Sequence, residues 1–426
     1  MRTRPLLALA VVTAACLSPD RAEAIPAFAR EHNIPCSTCH VAVPYLTHVG
    51  RRFKEAGYRL PDADGSIDPE MQPSRRFSDA LLLDPNFPIA ARLRGDLVSK
   101  ERGEDERIQP LNEAILMALG SWSDQGSFFF QLSATSAGAW TPTTAVQLGF
   151  HPSRYANVEV GNTGPFHADP YNTFGHPITV FAKTTPMRLM DHHATPTILL
   201  YGRAADLYYG VSLNSGPDNP EGVRPRTATV RLAYDVGDDL MVGAFGVYGD
   251  LGEADEAAGT TEAGHALTVG RGRLGVLRQA AEAHDEAAAV MGAGASGSHE
   301  MGHAEAPEKI ARGGVDCNVA LGPVNAVAMF ALIRDEGHEG TTNDLSAFAE
   351  LLYPWQSDGR PVIVPLLRLE YDTFADRDDK LVGLVAGVNH YVRENARLAI
   401  EGRADLKARE GAERGWTGAL TLDVAF

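Results

Sequence analysis

The feature that most limits how this chain can fold is a period-two alternation of apolar and polar residues, which starts near residue 88 and runs to the end. In "PIAARLRGDLV" Ile89, Ala91, Leu93 and Leu97 share one face, while Ala90, Arg92, Arg94 and Asp96 share the other. "RTATVRLAYD" opposes Ala228, Val230, Leu232 and Tyr234 to Thr227, Thr229, Arg231 and Asp235. "LLRLEYD" opposes Leu367, Leu369 and Tyr371 to Arg368, Glu370 and Asp372, and "NARLAIEGRA" sets Ala396, Leu398 and Ile400 against Arg397, Glu401 and Arg403. Successive side chains of a strand point to opposite faces, so each stretch is a strand with one apolar and one polar face. A soluble sandwich also alternates, but it turns its apolar face inward and has shorter connections. Here the polar face carries Arg and Asp/Glu at successive positions. That suits a wide watery lumen lined by opposite charges, with the apolar face left to meet lipid.

Connection lengths point the same way. The pattern predicts strands at 88–101, 114–122, 126–134, 144–151, 155–161, 196–204, 206–214, 225–235, 239–249, 311–321, 325–335, 346–355, 361–372, 380–392, 395–404 and 416–426. Even-numbered connections are tight, as in "SDQ" (123–125) and "VGDD" (236–239), and odd-numbered ones are longer, above all 162–195 and 250–310. Bacterial outer-membrane barrels combine an even strand count with short periplasmic turns and long external loops. The expectation is a mainly β chain whose residues 88–426 form a transmembrane antiparallel barrel of about 16 strands. The last strand, "WTGALTLDVAF", places Trp416 and Phe426 at opposite aromatic girdles.

The N-terminus reads as an export signal over residues 1–24: Arg2 and Arg4, the apolar core "LLALAVVTAACL", then small residues Ala22 to Ala24. Cys16 lies within it and, with Thr13 three residues earlier, fits a lipidation site poorly. The mature chain keeps Cys36, Cys39 and Cys317, too few for a disulfide framework. No apolar run is long enough for a membrane-crossing helix. A net charge of −17 argues against a nucleic-acid partner.

Between signal and barrel, residues 25–80 hold "IPCSTCHVAVP". C-x-x-C-H is the attachment pattern of c-type haem: the thiols of Cys36 and Cys39 add to two vinyl groups of one haem, and His40 offers its imidazole to the iron. A structural zinc site wants four ligands, and Cys317 stands alone. A thioredoxin-type pair wants a βαβ context that the proline-broken flanks do not supply. A simple disulfide leaves the adjoining histidine unexplained. In "VPYLTHVGRRFKEAGYRLP" Leu46, Val49, Phe53 and Ala56 recur at helical spacing, with Arg51, Arg52, Lys54 and Glu55 on the other side, so a small α-helix able to cover a haem face is expected. Candidates for a second axial ligand are Met71, His48 and His32; His48 also reads as a surface residue of the helix.

Two loops carry further chemistry-bearing residues. Residues 162–195 contain His167, His176, Asp191, His192 and His193, which suit the approach of Fe(II) or another first-row metal if the loop folds into the lumen. Against this, the residues show no fixed ligand spacing, as in an ordinary external loop. Residues 250–310 are rich in Ala, Gly, Glu and His; the Gly-rich surroundings of "HEMGH" (299–303) argue against the helix a zinc-protease motif needs, and the pattern around "GRGRLG" (270–275) offers no βαβ unit. An acidic, solvated loop that attracts cations is the reading for this segment.

An exported C-x-x-C-H segment, then "YLTHVGRRFKEAGYRLP", then a barrel ending in Phe426 resembles the fused outer-membrane cytochrome–porins. These are monohaem proteins of extracellular electron transfer, notably ferrous-iron oxidation. The resemblance spans the mature chain, and its specific residues are Cys36, Cys39 and His40. It implies one covalent haem c, a bacterial outer-membrane location with the haem segment at the periplasmic side or in the pore, extracellular Fe(II) as donor and a soluble periplasmic cytochrome as acceptor. A haem-plugged porin or conduit serving another donor or outward electron flow is the alternative. A terminal Phe426 also resembles an outer-membrane assembly signal.

Overall fold

In the computed structural model the described residues are 28, 34–59, 89–103, 105–123, 125–135, 141–171, 173–174, 178–179, 181, 183–189, 196–214, 226–250, 309–337, 340–357, 359–374, 379–393, 395–407 and 415–425. The alternating segments become β3 (Ile89–Glu101), β4 (Arg107–Ser121), β5 (Gly126–Thr135), β6 (Thr141–Ser153), β7 (Ala156–Gly161), β8 (Thr197–Ala204), β9 (Leu207–Asn214), β10 (Thr227–Val236), β11 (Leu240–Asp250) and β12 (Lys309–Leu321). They continue as β13 (Val324–Gly337), β14 (Gly340–Leu352), the short β15 (Trp355–Ser357), β16 (Arg360–Phe374), β17 (Asp379–Arg393), β18 (Ala396–Lys407) and β19 (Trp416–Ala425). Each pairs antiparallel with its chain neighbour, and β19 pairs with β3 to close the barrel. β15 extends the β14–β16 hairpin, and β14 pairs directly with β16, so the described wall has 16 full strands. Closure leaves no unpaired strand edge, the condition for placing a sheet in lipid.

The outward face is apolar. Val315, Leu332, Leu367, Leu369 and Ile400 are all exposed, and Trp122, Tyr155 and Trp355 stand at the rim of tight turns, with Tyr248 and Trp416 toward the other rim. That rim of tight turns carries 154–155, 205–206, 237–239 and 322–323; Gly237, at φ +68, takes the left-handed conformation its turn needs. No helix among the described residues is long and apolar enough to cross a membrane, which says nothing about crossing by strands.

The lumen differs from the expected watery channel. Many of its described charged residues are buried: Arg231 pairs with Asp169 at 2.9 Å and with Asp316 at 2.5 Å, and Arg368 with Glu350 and Glu370 at 3.2 and 2.8 Å. The reason is that two segments enter the barrel. Phe166, Phe174, Ile178, Phe181 and Leu189 from the β7–β8 connection join Ala42 and Tyr45 from the N-terminal segment in one core with Phe245, Met329, Phe348, Val364 and Leu366 of the wall. The described part of the 162–195 connection therefore folds inward and includes a short helix, α3 (Thr184–Leu189), that the alternation did not forecast. β4 and β14 begin about six or seven residues earlier than the sequence suggested, because beyond the lipid the strands continue without an apolar face.

Candidate functional site

"CSTC" forms one helical turn, α1 (Cys36–Cys39), behind Pro35, whose extended backbone (φ −70, ψ 153) opens it. The chain leaves the helix at His40 (φ −123, ψ 129) and runs into β1 (His40–Ala42), which pairs back through a Val43–Pro44 turn to β2 (Tyr45–Leu46). Thr47 ties the unit together: its N–H donates to the Cys39 carbonyl at 2.9 Å, and its hydroxyl donates to the Thr38 carbonyl at 2.6 Å. The same hydroxyl accepts from the Gly50 N–H at 3.2 Å and caps α2 (His48–Glu55). Gly50 is required where it stands, since a Cβ there would meet the Cys39 carbonyl oxygen at 2.1 Å. α2 is thereby pressed against the turn that carries the cysteines.

Cys36 and Cys39 are both thiols, half-buried, and burial pushes the Cys39 thiol up. Burial holds the His40 imidazole down to about 4, against the opposing backbone of Pro44 and Tyr45, and its Nδ1 is buried without a hydrogen-bond partner. A neutral imidazole is the form that binds a metal. Among the described residues no three His, Cys, Asp or Glu side chains converge on a point where one metal ion would sit. Two thiols three residues apart, with the next residue an imidazole, are the set that reaches separate carbons of a macrocycle and addresses its iron. The donor set and the orphaned buried nitrogen fit a c-type haem.

The segment is anchored to the barrel wall. Tyr45 donates from its hydroxyl to Glu350, and its ring lies under the Lys183 ammonium at 5.1 Å. Tyr391 donates to the Val43 carbonyl at 3.4 Å. On α2, Glu55 receives Arg203 through both oxygens at 2.8 and 2.5 Å, and Arg203 also reaches Asp235 and the Tyr171 hydroxyl, each at 2.7 Å. Lys54 donates to the Asp169 carbonyl at 2.7 Å, and Arg51 to the Asp238 carbonyl at 3.3 Å. Asp238 belongs to the 237–239 tight turn, so the segment occupies that end of the lumen.

The expected helix is thus real, but its faces are used differently. Phe53 is buried, against Phe28 (ring centroids 4.8 Å) and Tyr58 (6.1 Å), whereas Val49 is exposed and Leu46 lies outside the helix. Arg51, Arg52, Lys54 and Glu55, expected on an outer polar side, are the docking groups. His48 sits half-exposed with Nδ1 3.5 Å from Asp238, as a surface residue of the helix. Burial and the flanking Arg52 and Arg51 lower its pKa. Met71 and His32 lie outside the described residues.

Of the candidate metal-approach residues, His167 is described, and His176, Asp191, His192 and His193 lie outside the described residues. His167 Nδ1 faces Glu159 Oε2 at 3.8 Å, its ring stands 5.1 Å from Phe129, and burial lowers its pKa. Glu159 also accepts from the Tyr201 hydroxyl at 3.0 Å, which meets His151 Nδ1 at 3.1 Å; His151 Nε2 meets the Ser127 hydroxyl at 2.6 Å. Asp235 was already on the polar face of its strand in the sequence pattern, whereas no motif marks His151, Tyr201, Arg203 and Glu350. Their signal was parity, since each falls on the lumen-facing set of its strand. The "HEMGH" and "GRGRLG" stretches and the rest of 251–308 lie outside the described residues.

No family model matches this chain, and no curated protein matches it. Among solved structures it is similar to OmpT, an outer membrane protein of Vibrio cholerae, in its trimer form, at 11% identity and a TM-score of 0.52, covering 79% of this chain and 98% of that one. A loop-deletion mutant of OmpT is similar at 12% identity and a TM-score of 0.53, with 79% and 98% covered. The anion-selective porin from Comamonas acidovorans is similar at 10% identity and a TM-score of 0.51, with the same coverage. At such identities the likeness concerns fold alone: the chain has the porin-like fold of outer-membrane barrels, which supports a bacterial outer-membrane location.

Proposed function

We propose that this chain is an outer-membrane electron-transfer protein. One haem c, held by Cys36 and Cys39 with His40 on its iron, would take electrons from extracellular Fe(II) and pass them to a soluble periplasmic cytochrome. The observation that carries the reading is the placement of the C-x-x-C-H segment inside the tight-turn end of a barrel, bonded to the wall through Tyr45, Lys54 and Glu55. Short turns lie on the periplasmic side of such barrels, and the segment's position among them supports a periplasmic acceptor.

When bound, the haem supplies a one-electron carrier at the potential its ligands and surroundings set. The chain's own residues do the rest. Cys36 and Cys39 fix the group to the segment, and burial keeps His40 neutral at the pH of the periplasm. The Arg203–Glu55 pair and the Tyr45–Glu350 bond fix the segment in the pore. The buried core of loop and wall residues excludes bulk water from between them. A net charge of −17 draws cations toward the protein. The donor half-reaction, Fe(II) to Fe(III), releases one electron and requires no proton transfer by the protein.

The test is anaerobic addition of Fe(II) to purified, haem-loaded, oxidised protein, with dithionite as a control for a reducible haem. Appearance of the reduced haem spectrum with Fe(II) supports the reading. Reduction by dithionite but not by Fe(II) rejects Fe(II) as donor and leaves the same site serving a different donor or outward electron flow.

A further inference from the structure

The connection that enters the barrel brings Lys183 into the core at 2% exposure, beside the N-terminal segment. Its ammonium lies 5.1 Å from the centroid of the Tyr45 ring and 5.5 Å from that of Phe348. Tyr45 links this cation to the site. The β1–β2 pair sets Ala42 against Tyr45 and His40 against Leu46, and the His40 imidazole rests against the backbone of Pro44 and Tyr45. One residue therefore stands between the Lys183 ammonium and the histidine of "CSTCH". The other charged and titratable groups around Lys183 come from each element packed on it. β2 supplies the Tyr45 hydroxyl, which donates to Glu350. β14 supplies Glu350 and β16 supplies Arg368, 3.2 Å apart, with Glu370 2.8 Å from Arg368. The connection itself supplies Asp169, which Arg231 holds at 2.9 Å.

Lysine is seldom fully buried, and an apolar side chain would fill the same space without the desolvation cost. What the ammonium adds is a positive charge in a medium where charges are weakly screened. Ferric haem carries one more positive charge than ferrous haem, so a nearby cation disfavours the ferric form and raises the potential. At an effective dielectric of about 20, unit charges within roughly 25 Å of each other shift such an equilibrium by about threefold or more. Burial lowers the Lys183 pKa to about 8, so the charge is present below that value and lost above it.

We propose that Lys183 tunes the potential of the haem held by Cys36, Cys39 and His40, raising it while the ammonium is charged and letting it fall when the proton leaves. The inference rests on the proposed function. Lys183 acts through space, past Tyr45, and is not a ligand. When the ammonium has lost its proton, reduction takes up one electron at the iron and one proton from water at Lys183 Nζ. By linkage, reduction strengthens proton binding by the same factor by which protonation favours reduction.

The experiment compares the full haem-loaded chain with Lys183→Arg, whose charge does not titrate, and Lys183→Met, which carries none. Haem per chain is measured first by its alkaline pyridine spectrum, and docking of the segment by trypsin protection at Arg51, Arg52 and Lys54. The haem midpoint potential is then recorded from pH 6 to 10. In wild type it should fall around pH 8 by at least a threefold change in the reduction equilibrium, about 28 mV. K183R should stay at the upper level across that window, and K183M at the lower one. A wild-type curve without that fall, or a fall that K183R retains, overturns the proposal. If K183M loses its trypsin protection, undocking accounts for its potential and K183R alone decides. A wild-type chain without haem rejects the electron-transfer reading and this inference with it. A haem that dithionite reduces, but whose potential does not change across the window, rejects the inference alone.

Discussion

Arg203→Met removes the residue through which the N-terminal segment is most firmly held. The native guanidinium satisfies both oxygens of Glu55, one of Asp235 and the Tyr171 hydroxyl. The substitution keeps volume but leaves two carboxylates in the lumen, each with a side chain about one-tenth exposed (11% and 7%). Breaking a buried pair costs about 3–5 kcal/mol. Arg52, 3.2 Å from Glu55 and 3.9 Å from Asp235, survives and offsets part of the loss, so ~3 kcal/mol is expected. That loss falls on docking, since the strand ladder closes through other residues, and it corresponds to a roughly 100-fold larger undocked population. Arg51, Arg52 and Lys54 are trypsin sites that docking protects, and cleavage by a dilute protease follows the open population. Trypsin should therefore cut R203M within the segment roughly 100-fold faster than wild type, with the barrel resistant in both. The double variant with Glu55→Gln should recover part of the protection, because the stranded charge is gone. Equal cleavage rates in wild type and R203M, to within a factor of two, would refute the claim that this cluster holds the segment in the pore.

Tyr45→Phe breaks the bond to Glu350 while Arg368 still holds that carboxylate; a smaller loss of about 1–2 kcal/mol in segment protection is expected by the same assay. Lys183 lies in the entering connection, and burial lowers its pKa from 10.5 to about 8. The folded chain then binds fewer protons than the unfolded one between those values, so stability should rise with pH across that window, by about 1.4 kcal/mol per unit at most. Urea midpoints of wild type and K183M at pH 7.5 and 10.5 check the sign; the slope should flatten in K183M. Leu367→Arg places a charge on the lipid face near the middle of β16 and should cost ~2–4 kcal/mol in bilayer refolding. Cys36→Ala or Cys39→Ala should keep one thioether and shift the pyridine haemochrome maximum; the double variant should carry no covalent haem.

The wall was legible because lipid imposes the cleanest of patterns. Ile89 to Asp96, Thr227 to Asp235 and Arg368 to Asp372 each obey the parity that the closed barrel uses. The occupied lumen was not legible. Arg231, Arg368 and Glu370 look the same in sequence whether they line water or pair under an inserted loop, since the distinction lies in Asp169, Thr179 and Phe181 arriving from far along the chain. Helix α2 shows the same limit: its spacing announced a helix, but its charged side turned out to be its docking side because complementary charges wait on β8 and β10. At the site, "CSTCH" was readable as local chemistry, whereas the packing of Gly50 against Cys39 depends on a fold-back that the β1–β2 pairing and Thr47 arrange together.

The most direct measurement of the central claim is a denaturing gel of outer-membrane protein, with boiled and unboiled lanes, stained for haem and then for protein. One heat-modifiable band that moves as the barrel unfolds should stain for haem, and the Cys36→Ala/Cys39→Ala double variant should lose that stain. A heat-modifiable band that carries no haem stain would contradict it.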